Sequence, residues 1–143
     1  MNPGLSYREA AVAGANPVRL VILLYEQAMD DLRRAVDAQA KGDIEARTRE
    51  VNHAIQVIGH LQATLDKEHG GKVAENLERF YEQIRCGLVD AQWKQSVSAL
   101  EQQIAYLMHV HEAWRTVEQA ITPAPTPAEE PGAGLPAPGD WSA

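Results

Sequence analysis

Residues 6–28 read SYREAAVAGANPVRLVILLYEQA. Asn16 followed by Pro17 marks a helix start, because asparagine caps orphan amides and proline lacks an amide hydrogen and fits the first helical position. The first turns of that helix decide the architecture. From Pro17 to Tyr25 the segment is apolar almost all the way round, whereas a soluble helix needs one apolar face. At about 100° per residue, Val18, Val21, Leu24, Tyr25, Ala28, Leu32, Ala35 and Val36 share a face that a neighbouring helix can cover. Leu23 points almost opposite that face and Leu20 sits on its edge. Something beyond a single core has to cover them.

Outward from this stretch the pattern stays helical. Gly42 ends the first helix and Asp43 can cap the second, the Gly70–Gly71 pair ends the second, and a subtler break near Gln92–Ser96 precedes the fourth. No proline interrupts residues 18–122, and no alternating strand pattern occurs. Ile44, Val51, Ile55, Ile58, Leu61 and Leu65 line up on the second helix. Val73, Leu77, Phe80, Ile84, Leu88 and Ala91 do so on the third, with Tyr81 beside them. Val97, Leu100, Ile104, Leu107, His111, Trp114 and Ile121 form the fourth stripe. Short connections between such helices predict an all-α, antiparallel up-down four-helix bundle over residues 17–121. Residues 1–16 read as a flexible arm. Residues 122–143 hold six of the eight prolines and no apolar period, the composition of a disordered tail.

A second row, Tyr106, Val110, Ala113 and Val117, runs along the fourth helix at 4-3-4 spacing, roughly 100° or more from the first. Val57 is similarly displaced on the second helix. Single exposed apolar residues are ordinary, but a four-residue stripe needs a lid, another subunit or a client. Helix-in-groove binding and extra core contact both satisfy it. A homo-oligomeric bundle with a self-interface there is a further reading.

The totals exclude several classes. A net charge of −7 over 143 residues argues against nucleic acid or an anionic membrane as the main partner. The longest apolar run, VILLY at 21–25, is too short to span a bilayer, and the N-terminus lacks a signal-peptide pattern. Cys86 is the single cysteine, which suits a reducing compartment, so the protein is expected in the cytosol. Glu50-Val51-Asn52-His53 matches one Glu-x-x-His unit of a di-iron bundle, which requires two, and His53 reads as facing away from the core. His60 on an outer face faintly resembles a phosphotransfer histidine, although Gln62 and Ala63 stand where that family has lysine and glycine. His111 reads as a hydrogen-bonded boundary residue and Cys86 as inert. No nucleophile–base pair, phosphate loop or carboxylate dyad is legible. The expectation is no enzyme, no cofactor and no metal.

Tyr7-x4-Val12-x2-Ala15-x-Pro17, then Leu20-x2-Leu23-Leu24-Tyr25, resembles the opening of the flagellin export chaperone family, FliS. Ala54-x3-Ile58-x2-Leu61-x3-Leu65, Gly70-Gly71, Asn76-Leu77, Phe80-Tyr81, Leu88-x2-Ala91 and Ala113-Trp114 come in family order, covering residues 7 to about 120. Gln83 replaces a family aromatic, and Ala91-Gln92 stands where Ala-Asn is frequent. The resemblance implies a cytosolic chaperone that binds the disordered C-terminal segment of flagellin and prevents premature polymerisation. It further implies delivery to the flagellar type III export gate, with other flagellar assembly factors as further partners. The same resemblance implies an N-terminal arm lying over part of the client surface. The expected contact residues are Tyr7, Val12, Leu20, Leu23, Val57, Tyr106, Val110 and Val117.

Overall fold

A computed structural model describes residues 17–121 of the chain. Four helices fill that span: α1 (Pro17–Ala40), α2 (Ile44–Ala63), α3 (Gly71–Lys94) and α4 (Val97–Ile121). The expected four-helix bundle is what forms. The expected arm at 1–16 and tail at 122–143, with Tyr7 and Val12, lie outside the described residues. Each helix packs on its two neighbours round a square, α1 on α2, α2 on α3, α3 on α4 and α4 back on α1. Cross-helix pairs run in opposite sequence directions, as antiparallel packing requires. Arg85 bonds Gln62 while Gln92 bonds Asn52, and Arg19 meets Glu118 while Glu26 meets His111.

The turns arise from local chemistry. After α1, Gly42 takes a φ of 76°, which glycine adopts without a Cβ penalty. The amide of Gly42 donates to the Gln39 carbonyl and that of Asp43 to the Ala38 carbonyl, the double closure of a Schellman motif. The Asp43 side chain then accepts from the Ala46 amide at 3.0 Å and opens α2. The α3 terminus repeats the motif: Gln95 donates to the Gln92 carbonyl and Ser96 to the Ala91 carbonyl. There the left-handed position is filled by Gln95, at φ 51°, a conformation that costs a non-glycine residue about 1–2 kcal/mol. Helix α2 stops at Ala63, well before the Gly70–Gly71 pair, with Thr64 at its C-cap and the Thr64 hydroxyl donating to the Leu61 carbonyl at 2.7 Å.

The core runs through Leu24, Tyr25, Ala28, Leu32 and Ala35 of α1, Val51, Ala54, Ile58 and Leu61 of α2, Tyr81, Ile84, Leu88 and Ala91 of α3, and Leu100, Ile104 and Leu107 of α4. Tyr81 is central rather than peripheral. Its hydroxyl accepts from Tyr25 at 2.9 Å, with the rings edge-on and their centroids 6.1 Å apart. Burial, then the neighbouring Tyr81, pushes the Tyr25 hydroxyl far above its usual range, so both phenols stay neutral. Gly87 lets α3 come close to α4: a Cβ there would run into the Gln103 amide.

Three stripe positions and one off-stripe position behave differently from the periodic reading. Ile44, Val73 and Ile121 are exposed, Val73 at 65%, because each sits in the first or last turn of its helix, where the bundle tapers and no neighbour remains to cover it. Val57, expected as a surface contact, is 3% exposed and belongs to the core. Wedged between α1 and α3, α2 buries more than one stripe.

Candidate partner-binding surfaces

The core stripe of α1 is incompletely covered at its N-terminal end. Pro17, Val18 and Val21 meet Thr64, Leu65 and Asp66 of the α2–α3 connection, Val73, Ala74, Leu77 and Tyr81 of α3, and Trp114 of α4. Together they line a groove of about 220 Å³ at one end of the bundle. That volume lies below the roughly 300–1,000 Å³ of small-molecule sites, and the lining is mostly aliphatic and aromatic, so the groove suits side chains of a docked segment. Asp66 is the one charged group in this lining. It accepts from the His69 amide at 3.1 Å, and the His69 side chain, first, and this amide hold its carboxyl below the usual range.

None of the expected contact residues among those described lines this groove. Leu20 is half-buried and packs on the core; Leu23 is half-buried. On α4, Tyr106 and Val117 are 46% and 42% exposed and Ala113 is exposed, so most of the second row faces outward. Val110 instead packs part of its side chain against the core. Tyr106 belongs to a separate cleft between α3 and α4, with Phe80, Gln83, Ile84 and Gln103.

One apolar face escapes the sequence reading. Cys86, Val89 and Trp93 on α3, with Ile55 of α2, line an open cleft of about 640 Å³ rimmed by Glu82, Arg85 and Asp90. Trp93 is 85% exposed. Its signal is present in the sequence as apolar positions 86, 89 and 93, one helical face, but the inner stripe 84, 88 and 91 on the same helix overshadows it.

His111 Nε2 lies 3.0 Å from a Glu26 carboxylate oxygen, a boundary pair between α4 and α1, as expected. His53 does not simply face away: it is half-buried with Nδ1 against the Asp31 carboxylate. His60 is exposed on α2. Among the described residues no cluster of three or more His, Cys, Asp or Glu side chains is placed to hold a metal ion. No helix among them is long and apolar enough to cross a membrane.

Fold and surface together define a four-helix bundle that carries apolar grooves in excess of its own core. The family model described as "Flagellar protein FliS" matches residues 1–121. The chain is 37% identical over 106 residues to the flagellar secretion chaperone FliSB of Pseudomonas aeruginosa, covering 74% of this chain and 84% of that one. It is 33% identical over 110 residues to flagellar secretion chaperone FliS of Salmonella typhimurium, covering 76% and 82%. A Bacillus subtilis protein of the same description matches at 24% over 119 residues, covering 83% and 88%. The chain belongs to the FliS family of flagellar secretion chaperones.

Proposed function

We propose that this bundle binds the disordered C-terminal segment of flagellin in the cytoplasm, prevents its premature polymerisation and delivers it to the flagellar type III export apparatus. It acts by binding alone and not as an enzyme. The observation that carries this reading is the groove lined by Pro17, Val18, Val21, Leu65, Val73, Leu77 and Trp114, apolar side chains that the bundle's own packing leaves partly or fully uncovered. Family membership supports the flagellar role. The outward row on α4, Tyr106, Ala113 and Val117, gives a second line along which a wrapped client can lay an amphipathic helix.

A client that folds as it binds loses conformational entropy, so its affinity must come from apolar burial, marked by a negative heat-capacity change. Tyr7 and Val12, in the proposed arm, would compete for the groove and ease release by lowering apparent affinity. Calorimetric titration with a C-terminal flagellin peptide at two temperatures tests the reading. Saturable one-to-one binding with a clearly negative heat-capacity change supports it. No heat at either temperature from folded protein overturns it. Deleting residues 1–15 should leave affinity unchanged or raise it; a large loss would mean that Tyr7 contacts the client directly.

A further inference from the structure

Asp31 lies fully buried in α1 on the side that meets α2. Its carboxylate accepts from Gln27 Nε2 at 2.8 Å and from Arg34 Nη2, and meets His53 Nδ1 of α2 at 2.5 Å. Arg34 Nε continues to the Glu50 carboxylate of α2 at 3.2 Å. With Asp30 and Arg49 these groups line a polar cleft of about 530 Å³ between the two helices. Packing alone does not require a carboxylate here. Desolvating it costs several kcal/mol, and apolar replacements of buried ion pairs are often neutral or stabilising. The best-attested use of such groups is to select one arrangement among several that pack almost equally well.

Helix α1 has that ambiguity. Between Val18 and Tyr25 apolar side chains occupy most azimuths, so small rotations about the helix axis exchange apolar surface for apolar surface. The exposed or part-exposed pairs on its α4 side, Arg19–Glu118 and Glu26–His111, resist such rotation weakly. Leu20 precedes Asp31 by eleven residues, which at about 100° per residue puts both on one edge of α1, with Leu23 the next position outward.

We propose that the Asp31–His53 pair is a positioning device: it holds α1 at one rotation against α2 and so decides how much of Leu20 and Leu23 is offered at the surface. The pair acts at a distance from those leucines, through the rigidity of one helix.

The test reads the rotation without any client, so its failure leaves the flagellin reading untouched. In a Cys86→Ser background, Leu23→Cys supplies a thiol whose labelling rate reports exposure at that position, and Val89→Cys in a second protein serves as a control on α3. Asp31→Leu with His53→Leu is then added to each. The expected result is retained helicity, equal or higher thermal stability, and a labelling rate at position 23 changed by roughly threefold or more, with position 89 unchanged. An unchanged rate at 23 in folded protein overturns the proposal. If that pair fails to fold, Asp31→Asn with His53→Leu decides by the same two rates. Unfolding of both pairs would also overturn it, because the groups would then carry stability rather than choose an orientation.

Discussion

The two halves of α1 obey different rules. From Gln27 to Ala40 the helix is amphipathic apart from the buried Asp31: Ala28, Leu32 and Ala35 are buried, while Asp30, Arg33, Arg34 and Asp37 face solvent. From Pro17 to Tyr25 it is apolar nearly all round, and only Ile22, Leu24 and Tyr25 become buried. The C-terminal half has no surface to spare beyond its core contact. The N-terminal half presents Val18 and Val21 to a groove shared with Leu65, Leu77 and Trp114. Core formation requires only as much apolar surface as a neighbour can cover. The N-terminal end therefore keeps apolar surface, at Pro17, Val18 and Val21, that its neighbours only partly cover.

Substitutions should separate the halves, the most damaging first. Leu32→Asp places an uncompensated charge in a fully buried site and should cost on the order of 4 kcal/mol or more, unfolding the domain in a thermal or urea melt. Leu23→Asp, in the other half, should leave the far-UV circular dichroism intact and weaken client peptide binding by about tenfold or more. Unfolding of that variant would move the side chain into the core and erase the distinction between the halves.

Smaller effects sharpen the contrast. Burial, first, raises the Asp31 carboxyl above its ordinary 3.8, with the His53 and Gln27 hydrogen bonds pulling it back. A raised folded value means that the folded state holds this proton more tightly than the unfolded chain does. The contribution of Asp31 to stability therefore grows as pH falls through the folded value, and above it the buried charge is a constant cost. Subtracting the stability–pH curve of Asp31→Asn from that of the parent should reveal this component, and carboxyl NMR should place the Asp31 midpoint above 3.8. A midpoint at or below that value would contradict it.

At the far end of α1, Gln39 Nε2 donates to the Gln95 carbonyl, in the turn where Gln95 adopts its left-handed conformation. Gln95→Gly should raise stability by about 1 kcal/mol, a few degrees in melting temperature, without affecting client binding.

Much of the fold was legible because it rests on local rules. Gly42-Asp43 and the three-to-four-residue period each act within a turn or two of helix. The stripes erred where local rules end. Val73, Ile44 and Ile121 keep the period but lie past their neighbours, and Val57 departs from it yet is enclosed because α2 has a helix on either side. The candidate groove was not legible: Val18, Val21, Leu65, Val73, Leu77 and Trp114 all fall on the core stripes, whereas Leu20, Leu23 and the α4 row, excess on a helical wheel, lie outside it. Trp93 and Val89 are hidden by a stronger stripe on their own helix.

By itself the sequence determined four helices, the Gly42–Asp43 turn, a bundle topology, and a surplus of apolar side chains on α1 and α4, all set by chemistry between residues close along the chain. Only the tertiary structure decided which surplus is consumed and which remains. It enclosed Val57, joined Val18, Leu65, Leu77 and Trp114 into one groove, and brought His53 against a buried Asp31. Those outcomes depend on the rotation and taper of each helix against its neighbours, and packing of that kind is a property of pairs of helices that no periodicity along one of them records.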